Sequence, residues 1–86
     1  MSHFAYLLRC ADGSFYAGYT VDLSRRLAAH QAGKASKCTR ARRPVELVYW
    51  EEYASKGDAL SREAELKKLG HQAKSELVVG FKTIAD

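Results

Sequence analysis

One proline, two cysteines and no long apolar run stand in a chain of 86 residues. Each scarcity excludes something. A single proline and six glycines are too few for a disordered or collagen-like chain. Cys10 and Cys38 offer no metal-ligand spacing. Cys10 is expected as a buried strand residue and Cys38 as a loop thiol, hence no disulfide and a reducing cytoplasm. Arg9 and Asp12 interrupt the apolar run near the N-terminus, so neither a signal peptide nor a membrane span is expected. No acidic residue occurs from Lys34 to Arg43, whereas that stretch holds the bases Lys34, Lys37, Arg40, Arg42 and Arg43.

What is present suffices for one folded domain, 1–86, without disulfide or metal staples. The formal charge is +4 and the isoelectric point about 9.2, which favours a polyanionic partner. Phe4 to Cys10 is apolar and aromatic enough for a strand, followed by the turn signal Ala11-Asp12-Gly13-Ser14. Phe15 to Thr20 is the return strand. With Gly13 in the left-handed position of a three-residue loop, Cys10 faces Ser14, Leu8 faces Tyr16 and Tyr6 faces Gly18. Both tyrosines then share one face, with room left at Gly18. A loop longer by one residue would separate them.

Asp22 is expected to cap a helix from Leu23 to about Ala32, and Gly33 to stop it. At ~100° per residue, Leu23 and Leu27 mark the buried side. Arg26 and His30 border it, and Arg25 points to solvent. The segment Lys34 to Arg43 has no period and reads as a loop ended by Pro44, either a solvated stretch or a grip on phosphates. Val45 to Tyr53 reads as a third strand. Tyr19, Tyr49, Tyr53 and Trp50 read as core aromatics, and His3 and His71 have no group around them. Ser55-Lys56-Gly57-Asp58 opens a second helix that runs to Lys68. Its apolar side is drawn by Ala59, Leu60 and Leu66, and Glu63 falls inside that arc. A carboxylate there needs a cation: a buried ion pair with Arg26 or Lys67, or a bound metal. A short third helix is expected over His71 to Val79, docked by Leu77 and Val78.

Tyr6, Tyr16, Arg26, His30 and Glu63 together match what phosphodiester hydrolysis requires. A water must be deprotonated, the phosphoryl charge neutralised and the leaving oxygen stabilised. Their order is Tyr6, then Tyr16-Ala17-Gly18, then Asp22-Leu23-x-x-Arg26-Leu27-x-x-His30, then Glu63-x-x-x-Lys67. In this the chain resembles the GIY-YIG nuclease superfamily from about Phe4 to Val79. It is closest to the small single-domain bacterial group, similar to the core of branch-cutting endonucleases. The first motif reads Phe4-Ala5-Tyr6 where the family has Gly-Ile-Tyr, and Ala17 replaces a larger apolar residue. Both tyrosines and Gly18 are kept.

The resemblance implies an α+β fold, an α/β sandwich with a three-stranded antiparallel sheet flanked by three helices. It also implies a one-metal endonuclease. By position, Tyr16 would be the general base and Tyr6 would order the water or phosphate. Arg26 would bind the scissile phosphate, His30 would assist proton transfer or phosphate positioning, and Glu63 would be the sole protein ligand of Mg²⁺ or Mn²⁺. Single-stranded or branched DNA is the implied substrate, in a DNA-repair setting, gripped by the basic segment. Two alternatives stand beside this reading: a nucleic-acid-binding module without catalysis, and a nuclease subunit that needs a protein partner.

Overall fold

The computed structural model describes residues 2–85, with side chains given as far as Phe81. Three strands, β1 (His3–Arg9), β2 (Phe15–Thr20) and β3 (Glu46–Tyr53), form an antiparallel sheet in the order β2-β1-β3. Helices α1 (Leu23–Gln31) and α2 (Lys37–Arg40) precede β3, and α3 (Lys56–Lys68) and α4 (His71–Ala85) follow it. The expected sandwich is present, with a one-turn helix added.

The hairpin register is the expected one: Leu8 pairs with Tyr16 and Tyr6 with Gly18. It is set by the turn. Gly13 takes a φ of +85°, which costs a glycine nothing. Asp12 accepts hydrogen bonds from both the backbone and the hydroxyl of Ser14, and Cys10 N donates to Ser14 O at 2.8 Å.

Because side chains alternate along a strand, β1 feeds two cores. Ala5 and Leu7 face α3 and α4 in a cluster with Ala17, Val48, Tyr49, Leu66 and Val78. Tyr6, Leu8 and Cys10 face the other way, packed with Val45 and with Leu23 and Leu27 of α1.

Both long caps act as read: Asp22 accepts from Arg25 N, and Ser55 accepts from Asp58 N. The end of α1 is a Schellman stop. Gly33 turns to φ +76° and donates to His30 O, while Lys34 N reaches Ala29 O at 2.9 Å.

Four expectations need correction. The basic segment is not a plain loop: Ser36 caps α2 through Cys38 N, and Cys38 sits exposed on that helix, unpaired like the buried Cys10. Leu60 is 40% exposed and Trp50 39%, so neither is core. In α3 the inner face belongs to Ala59 and Leu66, flanked by the half-buried Arg62 and Glu63. Finally, α4 continues through Gly80 to Ala85.

Arg62 explains the altered phase of α3. Its Nε lies 2.9 Å from Glu51, which also accepts from the phenols of Tyr49 and Tyr53. Burial alone would raise the Glu51 pKa, but these three donors outweigh it and hold the carboxyl below its ordinary value. The same bond, with some burial, pushes Tyr53 up to about 12.

Arg62→Ala is expected to cost roughly 1–3 kcal/mol, by leaving a half-buried carboxylate without its cationic donor, read as a lower urea midpoint at neutral pH. Since the folded Glu51 pKa is depressed, its contribution is present above the ordinary carboxylate value and fades as pH falls through the folded one. The deficit of Arg62→Ala should therefore shrink in acid.

Candidate active site

The site is built around one close approach. Tyr6 lies over Gly18, its partner on β2, and a Cβ at that glycine would stand 2.5 Å from Tyr6 Cζ. Only bare backbone accommodates the ring there, and Tyr6 is buried to 2% exposure. This aims the phenol at α1, where Tyr6 Oη meets His30 Nε2 at 2.9 Å. The edge of the half-buried Tyr16 ring faces the same imidazole, with centroids 5.1 Å apart.

His30 is the last core residue of α1, 1% exposed. Its other nitrogen, Nδ1, is 2.8 Å from Oγ1 of Thr39, which is itself fully buried. Burial, with a smaller effect of the Arg26 charge, lowers the His30 pKa and keeps the ring neutral near pH 7. Burial likewise raises the Tyr6 phenol far above its ordinary value. Tyr16 and Glu63 add to that rise and Arg26 opposes it. Tyr6 is therefore a hydrogen-bond donor, not a phenolate.

Those electrostatic effects locate the remaining groups. Arg26 is exposed and does not border the core as expected, yet its charge acts on both Tyr6 and His30. Arg25 is exposed, as expected. Both arginines line a cleft of about 470 Å³ with Thr20, Val21, Asp22 and Ala29. The cleft forms where the Thr20–Asp22 turn, closed by hydrogen bonds between Thr20 Oγ1 and the Asp22 backbone, bends into α1. Residues on both flanks of the first helical turn border that hollow, so adjacent arginines can share it.

Glu63 arrives on α3, and its charge reaches the Tyr6 phenol. Its carboxylate is 19% exposed and pairs with Lys67 at 3.4 Å, an i,i+4 contact to a 57% exposed lysine. This is one of the two ion pairs expected from the sequence, half-buried at the glutamate and screened by solvent at the lysine. Among the described residues, no three His, Cys, Asp or Glu side chains converge on a metal position. A lone, lightly engaged carboxylate suits a hydrated Mg²⁺ or Mn²⁺, which takes one or two protein carboxylates and fills its shell with water and substrate phosphate. The residues fit that group.

The five bases of the segment 34–43 divide. Arg42 pairs with Asp12 at 3.2 Å. Arg43 donates to Arg40 O and Gln31 O, bracing the ends of α1 and α2. Lys34, Lys37 and Arg40 are exposed, with no carboxylate partner among the described residues. His3 and His71 have local partners: His3 Nδ1 meets Tyr19 Oη at 2.7 Å, and His71 Nε2 meets Gly13 O at 3.0 Å. Thr39 is the site residue that sequence reasoning misses. Its only sequence signal is Ser36, a cap-type residue three positions earlier.

Two phenols, an imidazole and a guanidinium thus gather on a hairpin and the helix that follows it, in a chain of GIY-YIG type. The chain belongs to that family: residues 2–76 match the GIY-YIG catalytic domain, a nuclease-type domain. A UPF0213 protein of Bacillus pumilus is 56% identical over 66 residues, covering 77% of this chain and 67% of that protein. A UPF0213 protein of Streptococcus pneumoniae is 51% identical over 80 residues, covering 91% and 81%. The solution NMR structure of a UPF0213 protein from Bacillus halodurans aligns with a TM-score of 0.58 at 44% identity, over 92% of this chain and 84% of that one.

Gly18→Ala should lower stability by ~1–3 kcal/mol, the usual cost of overpacking, and break the Tyr6–His30 bond. Gly80→Ala, in open helical surroundings, should raise stability by up to about 1 kcal/mol. Urea unfolding of both variants checks the contrast, and equal effects would mean that the Tyr6 contact does not constrain Gly18.

Proposed function

We propose that the protein is a metal-dependent DNA endonuclease of the cytoplasm, cutting single-stranded or branched DNA. The observation that carries this reading is the buried, neutral His30 bonded to Tyr6 and faced by Tyr16, beside the charge of Arg26. The bond satisfies two buried polar groups, and it also orders a proton network beside the guanidinium of Arg26. Family membership makes phosphodiester hydrolysis the chemistry to match it with.

In this reading the scissile phosphate enters the cleft beside α1. The Arg26 guanidinium donates to its non-bridging oxygens, a geometry a planar fork provides and lysine does not. Tyr6 donates its hydrogen bond to His30 and orders the water or phosphate through the position it gives that imidazole. A phenol is a base only as its phenolate, so Tyr16, half-buried and open to solvent, first gives up its own proton to bulk water and then takes the proton of the attacking water. Mg²⁺ or Mn²⁺ held by Glu63 would supply charge for the phosphoryl group and leaving oxygen. Lys34, Lys37 and Arg40 contact flanking phosphates, with Arg42 and Arg43 following if their present partners release them. A set this small suits a pliable single strand or branch better than a rigid duplex clamp.

Arg26→Ala and Glu63→Ala are each expected to lower turnover by ~10²-fold, the loss typical of one transition-state contact. Arg25→Ala should weaken binding more than turnover. The assay is cleavage of labelled single-stranded DNA with Mn²⁺, abolished by EDTA. Binding without cleavage, and no effect of Glu63→Ala, would instead indicate a nucleic-acid-binding module.

Replacing Lys34, Lys37 and Arg40 together by glutamine should flatten the salt dependence of binding by roughly two in slope, about 0.7 for each lost contact to a single strand. An unchanged slope would remove this segment from the interface.

A further inference from the structure

Three protons and three acceptors form a one-way chain through the buried side of the site. Thr39 Oγ1 lies 3.3 Å from Ser36 O, a carbonyl that can only accept. With the Thr39 proton used there, its oxygen accepts from His30 Nδ1–H at 2.8 Å. His30 Nε2 is then bare and accepts from the Tyr6 hydroxyl at 2.9 Å. Reversing the chain would place the proton on Nε2 and leave the Tyr6 O–H without an acceptor among the described residues, in a side chain 2% exposed. An unmet buried donor is costly. A neutral imidazole therefore has one satisfied tautomer.

We propose that Thr39 is a positioning residue for the nuclease reaction: its hydroxyl fixes His30 in the Nδ1–H tautomer, presenting Nε2 to Tyr6. This rests on the nuclease reading above. It gives α2 a purpose its length alone does not explain. One turn of helix, capped by Ser36, turns Thr39 inward onto the imidazole and leaves Lys37 and Arg40 outside. The element proposed to touch DNA phosphates is thus the one that sets the orientation of the proton network.

The test has an arm that needs no activity. Long-range ¹⁵N NMR of the assigned His30 ring should show Nδ1 protonated and Nε2 bare in the wild-type protein. Thr39→Val, which keeps the shape and removes the hydroxyl, should shift His30 toward the other tautomer, and Thr39→Ser should restore it. A wild-type ring protonated on Nε2, or a Thr39→Val spectrum unchanged from wild type, would overturn the proposal. If Thr39→Val does not fold, the wild-type measurement still decides.

In the cleavage assay Thr39→Val should lose roughly ten- to a hundredfold in kcat, the range seen when the partner orienting an imidazole is removed. KM should stay unchanged and Thr39→Ser should recover the rate. A shifted tautomer with an undiminished kcat would overturn the catalytic role. A tautomer that follows Thr39 in a protein that cuts no DNA would defeat the nuclease reading and leave the tautomer assignment standing.

Discussion

The Tyr6 ring lies against the bare backbone of Gly18, and the rest of the site depends on that contact. It is set by register alone, since a slip of one residue would turn Tyr6 into the opposite core. Once the ring is seated, its hydroxyl meets the buried His30 of α1, the helix whose Leu23 and Leu27 pack on the same core. The imidazole in turn needs a partner for its second nitrogen, and Thr39 supplies it. Steric exclusion at one glycine thus propagates through two hydrogen bonds to a separate helix.

The two faces of the sheet use polar groups differently. On the α3 side, Glu51 gathers Tyr49, Tyr53 and Arg62 into a closed set in which charge meets charge and phenols donate. Nothing in that set is left over for a ligand. On the α1 side the proton chain is satisfied inward, but Arg26 lines the cleft with no ion pair among the described residues, and Glu63 on α3 is paired only with an exposed lysine. Saturated polarity stabilises; unsaturated polarity at a surface hollow is what a phosphate and its cation would complete.

Much of this is legible in the amino-acid sequence. Asp12-Gly13 specifies the hairpin loop and through it the register, and Asp22, Gly33 and Ser55 mark helix ends through hydrogen bonds local to each position. Longer-range competition is not legible. Leu60 is apolar and reads as inward, but Arg62 takes the inner side because Glu51, eleven positions earlier on another element, requires a cation. The single turn of α2 is too short to impose a period on its residues, so Thr39 is lost within a run of bases. The third helix is expected only to Val79, yet the apolar contacts of Leu77, Val78 and Phe81 accompany an α4 that runs on through Gly80. The family motifs single out Arg26 but say nothing of Arg25 beside it in the cleft.

The strand order carries a consequence for assembly. With β1 in the middle of the sheet, its first partner follows at once while its second, β3, comes much later along the chain. As the polypeptide leaves the ribosome, the hairpin and α1 can bring Tyr6, Tyr16 and His30 together while one flank of β1 still has no neighbour. Glu63 comes later still, ten residues past the end of β3. A nascent chain can therefore hold its phenols and imidazole in place before it acquires the carboxylate, so the two halves of the proposed site are assembled in sequence and not at once.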